Sequence, residues 1–251
     1  MFRRFRLAFW MLLAVPALYA QVIKDTPKSY QCFRTEKPLV VDGKLDEKAW
    51  KKAEWTTDFV DIEGSAKPLP KFKTRAKMLW DDQYLYIAAE LEEPEVKATL
   101  TEHDSVIFHD NDFEVFLKPL ATEKGYFEFE INALNTGWDL FLNKPYLEQG
   151  KADNSWEMPG LKTAVVVHGT LNHPGDRDKG WTVEIAMPWS AFASRLPVTP
   201  PVAGTEWRVN FSRVEWTAGK PHEDNWVWSP QGVINMHVPT EWGYLKFLDK
   251  R

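Results

Sequence analysis

The sequence has one cysteine, Cys32, so no disulfide can form within the chain. Cys32 also lies too far past the N-terminal apolar run to be a lipid-attachment site, and it reads as incidental. No run of lysines and arginines follows the N-terminus, and the net charge is −5 with both signs interspersed. The electrostatic footprint of nucleic-acid binding is therefore missing. The six histidines are scattered without a His-x-x-x-His pair, which argues against a helix-borne catalytic zinc. The apolar run Leu7–Leu18 is broken by Pro16 and is too short to span a bilayer. No internal repeat, low-complexity tract or second domain is visible.

What is present is an ordinary globular composition, 44% hydrophobic and 27% charged, with an unusual 13 tryptophans. Trp packs well in sandwich cores, and a surplus on loops suits flat ring-shaped ligands. Arg3, Arg4 and Arg6 before the apolar run read as a secretory signal ending at Ala20. The expected layout is a signal peptide over 1–20, an extended leader over 21–38 and one domain over 39–249. The expected location is exported, periplasmic or extracellular, with no membrane contact after cleavage.

Period-two alternation dominates the domain, the signature of half-buried strands. Thr74–Trp80 and Tyr84–Leu91 alternate around an Asp81-Asp82-Gln83 turn and predict a hairpin. Trp181–Met187 and Trp207–Arg213 alternate in the same way, and Glu241–Phe247 forms a last strand. Trp50 reads as a core plug. Arg213 falls by parity on the apolar face of Trp207, Val209 and Phe211, where a charge is costly unless paired. It therefore meets either a carboxylate or a ligand, unless a bulge intervenes. Short strands between turn signals predict an all-β fold, an antiparallel two-sheet β-sandwich of immunoglobulin-like or jelly-roll-like type.

The chain is organised around Asp110–Asp139. One face of its first strand carries Phe113, Val115 and Leu117, and the other carries Glu114 and Phe116. In the second strand Phe127, Phe129 and Ile131 oppose Tyr126, Glu128, Glu130 and Asn132. Carboxylates, amides and rings on one face are the chemistry needed to hold a sugar, which wants flat apolar area and a few placed polar groups. Trp138, Trp156 and Trp228 lie in or near loops and are stacking candidates, with core packing as the other reading. Asn132 and Asn135 serve either hydroxyls or a turn.

The segments Val41–Trp50, Leu79–Asp81 with Tyr84–Tyr86, Asp112–Phe116, Gly180–Trp189 and Trp242–Leu245 occur in an order that resembles carbohydrate-binding module family 9-like domains. The resemblance covers about Leu39 to Phe247. It implies an antiparallel sandwich in which two aromatic rings hold a terminal glucan or xylan sugar, with structural calcium. Glu114 falls where that pattern has a hydroxyl-binding glutamate, and Phe108 near one sandwiching tryptophan. Asn132 lies close to a binding arginine that this chain lacks. Asn210 and Ser212 fall on a strand that carries a binding glutamine. Where the second sandwiching tryptophan is expected, this chain has Met236 and His237, with Trp228 further back.

The expected function is non-catalytic binding of a glycan or terminal sugar. The expected ligand-binding set is Phe108, Glu114, Asn132, Asn135, Trp138, Trp156, Asn210, Ser212, Arg213 and Trp228. Asp176 and Asp178, in a glycine-containing loop, are the candidate oxygen ligands for calcium. Two alternatives remain open. A glycoside hydrolase would pair Asp112 or Glu114 with Glu128 or Glu130. A haem-binding relative would use Met236 or His237, which as neighbours in a strand would face opposite ways.

Overall fold

A computed structural model describes residues 25–119, 125–193, 195 and 200–249. The signal-peptide reading of residues 1–20 falls outside the described residues. In chain order the elements are β1 (Ser29–Arg34), α1 (Lys48–Lys52), β2 (Val60–Asp61), β3 (Thr74–Trp80), β4 (Tyr84–Glu92), β5 (Asp112–Pro119), β6 (Tyr126–Asn132) and β7 (Gly137–Leu142). They continue with β8 (Ala152–Asp153), β9 (Lys162–His168), β10 (Gly180–Pro188), α2 (Trp189–Phe192), β11 (Glu206–Glu215), β12 (Asp224–Val227) and β13 (Gly243–Leu248). The fold is all-β.

The strands form one hydrogen-bonded path in the order β8-β7-β6-β5-β11-β13-β1-β3-β4-β10-β9, with β12 and β2 appended to β11. This corrects the expected antiparallel two-sheet arrangement in two respects. The ladder is continuous, and it is mixed, because β1 runs parallel to both β13 and β3. β1 lies within the expected leader, so the sheet begins before residue 39. The two halves of the path close over one core. Trp207 of β11 meets Trp189 beside β10 at 5.7 Å, and Phe127 of β6 meets Phe192 of α2 at 4.8 Å.

Parity decides which side chains enter that core. Phe113, Val115 and Leu117, then Phe127, Phe129 and Ile131, point inward with Trp181, Val183 and Ile185. The opposite face of β5–β7 is only partly open to solvent. A second apolar cluster of Ile62, Phe116, Tyr126, Leu140, Leu142, Val227, Met236 and Trp242 covers part of it. Antiparallel sheets often leave one face wet; here β2, β12 and residues 232–242 roof it.

The Val41–Trp50 motif is explained by one buried acid. Glu184 accepts the Asp42 and Gly43 backbone N–H groups at 2.8 and 2.6 Å on Oε2, and the Trp50 indole N–H at 2.6 Å on Oε1. Gly43 has φ +80°, and a Cβ there would lie 2.9 Å from Val166, so the turn requires glycine. Trp50 is 1% exposed, the plug that was expected.

Candidate functional site

The polar face of β5 and β6 floors a hollow of about 410 Å³. That volume is in the range of small-molecule pockets. Glu114 and Phe116 enter from β5, Glu128 and Glu130 from β6, and Trp138 and Leu140 from β7. Phe108 arrives on a 3-10 turn, Ile107–His109, just before β5. Tyr146, Met236 and His237 form part of the wall, with Ile62, Val214, Glu223, Asn225, Ile234 and Asn235.

Two ring pairs stand in this hollow. Phe108 and Trp138 have centroids 6.5 Å apart at 33°, and Phe108 remains 37% exposed. Tyr146 and His237 meet edge-on at 4.5 Å. The Tyr126 hydroxyl lies 2.7 Å from His237 Nδ1. Burial holds His237 down to about 4, so its ring is neutral at ordinary pH.

The floor is acidic and almost dry. Glu114, Glu128 and Glu130 on the floor, and Asp112 beside them, are each no more than 5% exposed. Oxygens of Asp112, Glu114 and Glu130 lie within 4.8 Å of one another. Burial pushes Glu114 up to about 7. Burial, reinforced by the neighbouring carboxylates, raises Asp112, Glu128 and Glu130 well above the ordinary range. Like charges this close cannot all ionise. Near neutrality part of the floor is protonated, and a protonated carboxyl both donates and accepts. Asp112 Oδ1 accepts the Val214 N–H at 3.0 Å, while Asp112 Oδ2 and Glu128 Oε2 have no hydrogen-bond partner.

Of the expected ligand-binding set, the fold gathers Phe108, Glu114 and Trp138 in this hollow. Ser212 lies across from Glu114 in the β11–β5 ladder and is fully buried. The remaining residues are placed elsewhere, with a physical reason in each case. Trp156 is 6% exposed and packs on Phe127 at 4.8 Å, sealing the core. Trp228 is 1% exposed, against Phe211 and the bare Cα of Gly243. Asn210 Nδ2 donates to the Ser229 carbonyl, and its Oδ1 accepts from the Ser229 and Phe211 backbone.

Asn132 organises the β6–β7 turn. Its Oδ1 accepts the Leu134 and Thr136 N–H groups, and its Nδ2 donates to Leu100 and Asp110. Asn135 takes the left-handed position of the same turn, at φ 63°. Arg213 is 1% exposed, as parity required, and pairs with Glu93 and Glu215 at 2.8 and 2.7 Å. Its guanidinium is thus engaged by two carboxylates.

The hollow also contains groups outside the expected set: Phe116, Tyr146, Met236 and His237. Met236 and His237 both line it, because residues 233–238 are irregular and strand parity does not apply there. The signal that Trp138 begins a strand was the Asn135-Thr136-Gly137 turn, which closes a hairpin between β6 and β7. At the proposed calcium loop, Asp178 accepts the Val96 and Thr170 N–H groups with its two oxygens, and Asp176 is bonded to the Thr170 hydroxyl. Asp178 thus ties this loop to Val96, and no group of three or more potential metal ligands among the described residues includes Asp176 or Asp178.

Comparison with known proteins agrees with this architecture. A protein from Bacteroides uniformis ATCC 8492, provisionally described as carbohydrate-binding, superposes with a TM-score of 0.67 at 17% identity. The superposition covers 88% of this chain and all of that one. A family 9 carbohydrate-binding module from Caldicellulosiruptor kristjanssonii, solved with cellotriose, gives 0.57 at 17% identity over 88% of this chain and 95% of that one. In sequence, 184 residues (72% of this chain) are 26% identical to exoglucanase XynX of Acetivibrio thermocellus, and they span only 13% of that enzyme. A 69-residue segment, 26% of this chain, is 42% identical to endo-1,4-beta-xylanase C of Paenibacillus barcinonensis and spans 6% of it. Residues 41–249 match the model of the carbohydrate family 9 binding domain-like family, and the chain belongs to that family.

Proposed function

We propose that the hollow over β5–β7 binds a β-linked glucan or xylan fragment without cleaving it. The observation that carries this reading is the meeting of the Phe108 and Trp138 rings with the Glu114, Glu128 and Glu130 carboxyls in one hollow. Rings offer flat area to the C–H face of a pyranose, and partly protonated carboxyls suit hydroxyls, which donate and accept. His237 stands where the family resemblance calls for a second ring wall, and Tyr146 packs against it. The solved relatives hold cellotriose and glucose, which selects the first ligands to try.

Hydrolysis fits the geometry less well. A retaining or inverting pair flanks the scissile bond at about 5–5.5 or 6.5–9.5 Å. Asp112, Glu114 and Glu130 instead cluster together on one face of β5 and β6 rather than on either side of a substrate. The matching segments in the exoglucanase and the xylanase are small parts of those enzymes, consistent with a binding role for this chain beside a separate catalytic unit. The basic and apolar residues at positions 3–18 favour export, where polysaccharide is met.

The deciding experiment is calorimetric titration with cellotriose, xylotriose and glucose, followed by intrinsic tryptophan fluorescence. Saturable binding weakened in Trp138→Ala is the expected result. Binding unchanged in both Phe108→Ala and Trp138→Ala would remove the hollow as the site.

A further inference from the structure

Outside the hollow, one histidine faces three acids. His103 lies in the loop before β5, and its Nδ1 is 3.0 Å from the Gly137 carbonyl. A carbonyl only accepts, so Nδ1 carries the hydrogen. The other ring nitrogen, Nε2, lies 3.1 Å from Glu157 Oε2, 3.3 Å from Asp104 Oδ1 and 3.6 Å from Asp139 Oδ1. A neutral ring would point a lone pair at three carboxylates. A protonated ring offers one N–H there, enough for one oxygen. Yet Asp104 Oδ1 and Asp139 Oδ2 are buried without a hydrogen-bond partner, and Asp139 is 2% exposed. A multivalent centre satisfies all of these groups at once.

The geometry points to a divalent cation of the zinc class held by His103 Nε2, Asp104 and Asp139, whose ligand atoms lie within 4.8 Å of one another, with Glu157 close to the ring nitrogen. Zinc bonds of about 2.0–2.1 Å set neighbouring ligand atoms of a tetrahedron roughly 3.3 Å apart, close to the spacings around Nε2. Spacing alone does not separate zinc from calcium. The nitrogen donor does, since calcium takes oxygen ligands and imidazole suits zinc and its transition-metal neighbours. The Nδ1–H to Gly137 carbonyl bond is the outer support that metal-bound histidines almost always have.

The site would clamp two segments, the loop leading to Phe108 and the strand carrying Trp138 between Gly137 and Asp139, with the loop bearing Glu157 beside them. Asp104 sits in the left-handed region at φ 62°, and its N–H donates to the Gly137 carbonyl at 3.1 Å. The bare chain therefore already brings these segments together. The cation claim stands independently of any sugar.

The test uses the untagged, chelator-stripped full chain, titrated with zinc sulfate and then calcium chloride, with metal content by elemental analysis and melting by circular dichroism. One zinc per chain and a raised melting temperature are expected. His103→Ala and Asp139→Asn should each weaken zinc binding at least roughly tenfold, as loss of a donor requires. Asp139→Asn keeps the side-chain shape, so it reports even if His103→Ala folds poorly. Absence of zinc binding, wild-type affinity in Asp139→Asn, or calcium bound in preference to zinc would each overturn the assignment. Sugar titration of the same stripped chain keeps the two sites separable.

Discussion

Glu130 Oε2 accepts the backbone N–H of Phe108 at 3.0 Å, so an acid of the pocket floor fixes the turn that carries an aromatic wall. Phe108→Ala and Trp138→Ala should each weaken cello-oligosaccharide binding by roughly 1–2 kcal/mol, or about five- to thirtyfold. Both rings are partly exposed, so melting temperatures should move little. Calorimetry beside thermal melts checks both halves of this expectation.

Trp156 and Trp228 should behave in the opposite way. Each is buried in the core, and truncation to Ala should cost about 3–5 kcal/mol of stability. Denaturant melts measure the loss. A selective loss of sugar affinity with stability intact would place that ring in the site after all.

The floor acids make stability depend on pH. Burial raises Glu114 from an ordinary 4.5 to about 7, and Asp112, Glu128 and Glu130 move the same way. The folded state thus binds protons that the unfolded chain releases. This contribution is complete below about pH 4.5 and is lost as pH rises through about 7. Glu114→Gln should flatten that segment of the melting-temperature profile and raise stability at pH 8. A profile identical to wild type would contradict the assigned burial.

Arg213 tests the far side of the sheet. Removing one partner of a buried ion pair strands the other charges and costs about 3–5 kcal/mol. Arg213→Ala should therefore destabilise strongly, leaving Glu93 and Glu215 unpaired, while sugar affinity of the remaining folded protein stays unchanged.

Much of this was readable from alternation alone. Parity put Trp207, Val209 and Phe211 inward and forced Arg213 to find a partner, which it did. Parity also put Glu114, Glu128 and Glu130 on one face. It did not show that this face is roofed, because the covering groups Ile62, Val227 and Met236 come from distant segments. Tryptophans near turns were ambiguous for a similar reason. Whether Trp156 meets solvent or Phe127 is decided by how the sheet curls. The parallel placement of β1 was hidden as well, since its six residues carry no mark of which neighbours they will take.

That placement has a kinetic consequence. Ser29 pairs with Tyr244 and Phe33 with Leu79, so β1 joins the half of the sheet that ends in β13 to the half that begins with β3. Loop closure over nearly the whole chain is required before this join can form, and such high contact order slows folding. Synthesis from the N-terminus leaves the β13-facing edges of β1 and β11 open until β13 emerges. A chain ending before β13 would keep those edges exposed, and self-association through them is its expected fate.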